Sequence, residues 1–237
     1  MSDSGIAAGD EQDHRDAILR RIAAGLGRAV PDEGSLPTAR ERPAEVTARL
    51  EAPTRRTLPR AEADLVAQLT RNMESVQMSV VRLQGSADVP GAVAFWLESE
   101  GLAGDVTIAP ALGALAWPSG DDGQGRHWRE GAASGTEATS VTPCLVAVAE
   151  TGSVATVSGG DTPATLNFLP ENHVVVVRTA DVVAHVEDAF DALRGLERLP
   201  RALNFVTGPS RTADIEQTLE IGAHGPRRMH VLIVEGD

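Results

Sequence analysis

The spacing of hydrophobic positions separates an amino-terminal arm from a regular α/β domain. Ile18, Ile22 and Leu26 recur every four residues with Leu19 beside them, which predicts an amphipathic helix over Asp13–Arg28, closed by Gly25 and Gly27. Residues 30–60 carry five prolines among many charges. No apolar stripe survives there beyond a turn of helix at Glu45–Leu50, so the stretch reads as a surface arm. It serves as a linker or, with the first helix, docks on a partner chain; the pattern leaves both open.

From Ala61 onward the pattern is that of alternating helices and strands. Leu65, Leu69 and Met73 form the stripe of a helix over Ala61–Met73, and Val76–Leu83 alternates as a strand. Val89–Glu100 predicts a helix and Asp105–Ala109 a strand, while Leu112–Trp117 fits either a short helix or a strand. Cys144–Ala149 and Val154–Ser158 read as a hairpin whose turn, Glu150-Thr151-Gly152-Ser153, needs a positive φ at Gly152. Four consecutive valines in His173–Arg178 predict a strand buried on both faces. Thr179 or Asp181 can cap a following helix that runs to about Leu196. Ala202–Thr207 is a short strand halted by Gly208-Pro209. Ile215, Leu219 and Ala223 then share a helical face over Thr212–Ile221, and Met229–Val234 is again a strand. The expected fold is a three-layer α/β sandwich with a mainly parallel sheet and a hairpin insertion, residues 1–60 forming the arm and 61–237 the domain.

Composition narrows the function. The net charge of −13 argues against nucleic-acid or anionic-membrane surfaces, which need clustered positive charge. Lysine is absent and every basic side chain counted as Lys or Arg is arginine, which excludes Schiff-base, pyridoxal-phosphate and Walker lysines. The single cysteine, Cys144, excludes an internal disulfide and a self-contained iron–sulfur cluster. The amino-terminal residues lack the features of a signal peptide and no apolar run is long enough for a membrane span, so a cytoplasmic location is expected.

The candidate chemistry sits in a few places. The loop Gly208-Pro209-Ser210-Arg211-Thr212, between a strand end and a helix start, offers free N–H groups, hydroxyls and a guanidinium to a small carboxylate or phosphate. Ser210 or Thr212 could equally cap that helix, with Asp214 and Glu216 complementing its dipole. Glu150 fits a nucleophile, a general base, a ligand contact or a plain turn residue, with Thr151, Gly152 and Ser153 around it. His224 fits an acid/base group or a cation at a helix end. His224 and His230 lack the i, i+4 spacing of a helical zinc pair, and no metal site is expected. His173 reads as the opening of a buried strand. In the polar stretch Ser119–Glu137, His127, Trp128 and Arg129 could close over a ligand as a lid, or the stretch is an exposed loop.

Four segments together carry a resemblance: GPSRTADIE at 208–216, GAHGPR at 222–227, AETGS at 149–153 and LPENHVVVV at 169–177. Taken in chain order they resemble the LUD-domain family, in its lactate-utilisation branch. The resemblance implies a fold related to sugar-phosphate isomerases and CoA transferases. It also implies a role in oxidising L-lactate to pyruvate, as a subunit that binds no cofactor alone and works with iron–sulfur partner subunits. In CoA transferases of that group a glutamate at a comparable strand-end turn attacks a thioester, so the alternative is an acyl- or CoA-type transferase using Glu150. One departure stands out: many relatives carry an arginine and a serine ahead of the proline of Leu169-Pro170, where this chain has Thr165-Leu166-Asn167-Phe168. Without cluster ligands, a dinucleotide fingerprint or lysine, the chain is not equipped for electron transfer alone; its expected job is to bind substrate or organise the redox subunits.

Overall fold

The computed structural model of the protein describes residues 58–213 and 219–236, together with Arg21, Ile22, Gly25 and Ala48. The chain divides into two units, 1–57 and 58–237, and the second is the α/β domain. The helix expected over 13–28 and nearly all of the 30–60 arm lie outside the described residues. Among the described residues no helix is long and apolar enough to cross a membrane.

Helix α1 (Leu65–Ser75) starts at Asp64, whose carboxylate accepts the Ala67 N–H at 3.0 Å. Strand β1 (Ser79–Gly85), helix α2 (Val89–Ser99) and strand β2 (Val106–Ile108) follow. Next come β3 (Gly120–Asp121), β4 (His127–Glu130), β5 (Thr139–Pro143) and the hairpin β6 (Val146–Val148) and β7 (Ser153–Val157). Strand β8 (Asn172–Arg178), the short β9 (Val182–Val183) and helix α3 (Val186–Arg194) lead to β10 (Leu203–Val206). The chain closes with β11 (Arg211–Ala213), β12 (Leu219–Ile221) and β13 (Arg228–Gly236).

The main sheet has seven strands in the order β1-β13-β8-β5-β2-β4-β3, parallel throughout except for the β3–β4 pair. Its central strands are buried on both faces. On one face Val174, Val176, Leu232 and Val234 receive Val89, Val93, Trp96 and Leu97 of α2. On the other, Val175, Val177, Val231 and Ile233 receive Leu69 and Met73 of α1 and Ala147, Ala149 and Val154 of the hairpin. The hairpin belongs to a second sheet of four strands, β10-β7-β6-β9, whose outer side is covered by Val186 and Ala189 of α3. The three-layer α/β sandwich with a mainly parallel sheet is therefore present, and the inserted hairpin has grown into a sheet of its own.

Several local expectations are corrected. Thr212–Ile221 holds no helix at its ends: β11 and β12 pair antiparallel, Arg211 opposite Ile221. Bonds from Gly222 N–H to Ser210 C=O at 3.0 Å and from Ser210 N–H to Pro226 C=O at 2.8 Å extend that ribbon. The strand–helix–strand unit dissolves with it, because β10 pairs antiparallel with β7 in the second sheet while β13 lies in the main one. The third helix starts at Val186, since Thr179–Asp181 forms a 3-10 turn and β9 intervenes; the His185 N–H is received by the Asp188 carboxylate at 2.9 Å. The 119–137 stretch is neither lid nor free loop. Trp128 is buried on β4, its indole N–H donates to Asp122 at 3.0 Å, and its ring lies 6.0 Å from that of Trp117.

That stretch ends on Glu137, whose side chain is buried. Burial raises its pKa, but the Ser134 hydroxyl and the N–H groups of Ser134 and Gly135, which all donate to it, outweigh burial and bring the pKa from 4.5 to about 2. Arg129 is its ion-pair partner. The folded pKa lies below the unfolded one, so the stabilisation is complete above pH about 4.5 and fades as pH falls towards 2. Glu137→Gln is expected to lower stability at pH 7 by about 1–3 kcal/mol. Chemical denaturation of both proteins across pH should show the gap closing between pH 4.5 and 2; a gap independent of pH would contradict this.

Candidate functional site

The end of α1 organises the tip of the hairpin. The Asn72 amide donates to Ala149 C=O at 2.8 Å and to Glu150 C=O at 3.1 Å. Gly152 adopts φ +67°, and a Cβ there would fall 2.6 Å from Asn72 C and 2.7 Å from Met73 N. The turn thus needs glycine twice over, for its dihedral and for backbone approach. Thr151 Oγ1 lies 2.7 Å from Ser153 Oγ, which lies 2.6 Å from Thr207 Oγ1, so three hydroxyls tie the tip to the end of β10. On its other side Glu150 Oε2 lies 3.1 Å from His185 Nδ1.

The segment after Thr207 presses onto the same helix end. Gly208, at φ +91°, leaves no room for a side chain beside Val76 C=O, 2.7 Å from where a Cβ would stand. Ser210 receives the His224 N–H on its hydroxyl at 3.3 Å, and Arg211 donates to the Gln77 side-chain carbonyl. Glu171 C=O accepts the Arg227 N–H at 2.7 Å and the Arg228 N–H at 3.2 Å. These bonds hold 222–228 against the amino ends of β8 and β13.

Between these pieces opens a cleft of about 270 Å³ at the amino ends of β1 and β13. Gln77, Ser79, Pro209, Arg227, Arg228 and Met229 line it from the strand side, with Trp96 and Glu100 from the end of α2. Arg227 and Arg228 are exposed, and among the described residues no carboxylate lies within ion-pair distance of either. Arg228 donates to Asn172 Oδ1, at 3.4 Å. Beneath the cleft His230 stacks on Trp96, with ring centroids 4.7 Å apart and planes 2° apart, and its Nδ1 lies 2.7 Å from Ser79 Oγ. Burial lowers the pKa of His230 to about 4, so the ring is neutral at physiological pH.

The carboxyl ends of the parallel strands, where open α/β sheets commonly bind ligands, offer a poorer site. The crevice there is about 150 Å³ and lined mainly by Ala111, Leu112, Leu115, Val176 and Val234. Arg178 at its edge is already held by both oxygens of Asp181, at 2.7 and 2.9 Å. Among the described residues no group of three His, Cys, Asp or Glu is placed to hold a metal ion.

The family model described as LUD domain matches residues 66–234. Among similar curated proteins, "Lactate utilization protein C" of Deinococcus radiodurans is 36% identical over 95 residues, 40% of this chain and 45% of that protein. The protein of the same name from Anoxybacillus flavithermus is 33% identical over 89 residues, 38% of this chain and 40% of its own length. "Lactate utilization protein C 1" of Bacillus mycoides is 32% identical over 124 residues, 51% of each. The matched stretch thus spans about half or less of these relatives. A crystal structure of a DUF162 family protein from Deinococcus radiodurans superposes with a TM-score of 0.55 at 26% identity, covering 74% of this chain and 99% of that one.

Of the residues singled out in the sequence, Glu150, Thr151, Gly152, Ser153 and Gly208 converge on the end of α1. Ser210, Arg211 and His224 lie together on the neighbouring ribbon; Thr212 is placed by its backbone, opposite Glu220 in β11. Glu150 does not line the arginine cleft. No helix begins at Arg211, where β11 starts, and the Ser210 amide is bonded to Pro226 C=O. Ser79, Trp96, His185 and Arg228 were not singled out in the sequence, and Arg227 only as the last residue of GAHGPR; paired arginines also occur at 20–21 and 55–56, so the doublet carries no signal. Gly152→Ala is expected to destabilise the domain by about 1–2 kcal/mol from the dihedral alone, and by more from the contact with α1, whereas Gly160→Ala, with open space around it, should cost less. Thermal melting of the two variants checks the order; equal melting temperatures would contradict it.

Proposed function

The chain belongs to the LUD-domain family, and from that premise we propose that it serves lactate utilisation by binding a small carboxylate in the arginine-lined cleft. One observation carries the reading: Arg227 and Arg228 line one cleft, and among the described residues no carboxylate lies within ion-pair distance of either. The size suits a three-carbon hydroxy acid. A guanidinium fork takes the carboxylate, Glu100 can accept the α-hydroxyl, and Met229, Pro209 and Trp96 provide an apolar wall for the methyl group. The names of the matched relatives support lactate or pyruvate as the carboxylate.

Within this proposal oxidation is a shared task. The one cysteine of the chain, Cys144, cannot hold a cluster by itself; in this reading, as the family resemblance implies, electrons pass to iron–sulfur partner subunits while this chain presents or organises the substrate. A second reading, an acyl or CoA-type transferase with Glu150 as nucleophile, is supported by the clamped hairpin tip and by His185 at 3.1 Å from the Glu150 carboxylate. A hydroxylamine-sensitive adduct on Glu150 after mixing with an acyl-CoA would favour it.

Calorimetric titration with L-lactate, pyruvate and inorganic phosphate tests the first reading. Saturable lactate or pyruvate binding is expected, weakened about tenfold or more by Arg228→Ala, the loss of one charged hydrogen bond. Binding that survives Arg227→Ala and Arg228→Ala together would place the ligand elsewhere.

A further inference from the structure

We propose that Ser79 and His230 form a nucleophile–base pair that hydrolyses an ester or thioester of a short acid bearing a second, free carboxylate. The proposal rests on the reading above, in which Arg227 and Arg228 hold a carboxylate in the cleft.

The pair is created by register. Ser79 at the start of β1 lies directly opposite His230 on the parallel neighbour β13, 151 positions away in sequence, and the two side chains meet at 2.7 Å. Hydroxyl and imidazole at this distance satisfy the geometric requirement for general-base activation. The ring cannot swing away. It is 2% exposed and lies flat on Trp96, with planes 2° apart. With its proton on Nε2, Nδ1 accepts from Ser79, and burial keeps the ring neutral and so able to accept.

A second hydroxyl–imidazole contact in the domain gives a useful contrast. Thr142 Oγ1 and His173 Nε2 are 2.8 Å apart, but both residues are at least nine-tenths buried between the sheets. That bond only satisfies polar groups in the core. Ser79, by contrast, lines the cleft together with both arginines.

The chemistry balances without another reagent than water. Ser79 Oγ bonds to the acyl carbon while its proton passes to His230 Nδ1. The carbon–oxygen or carbon–sulfur bond of the leaving group breaks, and the proton on His230 goes to the departing alkoxide or thiolate. Water then attacks the acyl-Ser79 ester, gives its proton to His230, and the proton returns to Ser79 as the acid is released. Arg227 and Arg228 fix the free carboxylate and neutralise the charge beside the reacting carbonyl.

Mono-p-nitrophenyl succinate is the probe, with p-nitrophenyl acetate as the uncharged comparison, on the full chain. Intact-mass and peptide mapping should find a succinyl group on Ser79, together with a burst of p-nitrophenol. Ser79→Ala should remove the adduct and slow release about 10²-fold or more. Ser79→Cys, which keeps a nucleophile at the same atom, should regain the adduct as a thioester. Arg227→Ala with Arg228→Ala should slow the succinate ester far more than the acetate. No adduct, an adduct on Glu150 instead, or undiminished release from Ser79→Ala overturns the proposal. Lactate binding without acylation removes only this step, whereas absence of any carboxylate binding removes the reading beneath it.

Discussion

The in-register pairing of β13 between β1 and β8 is the constraint from which the rest of the domain follows. Met229 to Val234 are buried without interruption, alternately facing α2 on one side and α1 with the hairpin on the other. A strand buried on both faces cannot slip by one residue, since that would exchange every side chain between two differently shaped layers. The register in turn decides what stands at the amino end of the strand. Arg228 and Met229 face the cleft there, and His230 sits beneath it opposite Ser79. The chemistry of the cleft is thus set by hydrophobic burial further along the same strands.

A second contact organises the opposite side of the site. The last turn of α1 receives the hairpin tip at Gly152 and the segment after β10 at Gly208, each with room for backbone only. Because Asn72 also bonds two tip carbonyls, the helix end acts as a common stop for pieces that reach it from two directions. The outcome is one edge of the domain where 72–79, 150–153, 207–211 and 222–230 all lie close to α1 and β1.

Much of this was legible in the sequence where burial dominates. Strands β8 and β13 are apolar on both faces and were recognisable from their valines and isoleucines alone. Strand β5, at the middle of the main sheet, was not. Its Thr139, Ser140 and Thr142 are buried with their hydroxyls bonded locally, Ser140 to Leu166 C=O at 2.6 Å and Thr142 to His173, so a polar stretch hides a core strand. The helix expected over 212–221 was suggested by a spacing that strands of three residues are too short to refute. In the 119–137 stretch the glycines and charges concealed Trp128, whose burial depends on a bond to Asp122. The hairpin turn was readable because Gly152 is a local requirement. The cleft was not, since it joins residues from four separate stretches and has no local pattern at all.

In the proposed reading the two arginines at the amino end of the main sheet hold the substrate carboxylate, and electron transfer falls to other subunits. The most direct test is lactate-dependent dye reduction by the proposed iron–sulfur partner subunits, with the chain absent, present, or carrying Arg227→Ala and Arg228→Ala. The account predicts activity only with the wild-type chain, and little or none with the double variant although it still folds. Equal rates with and without the chain would contradict it.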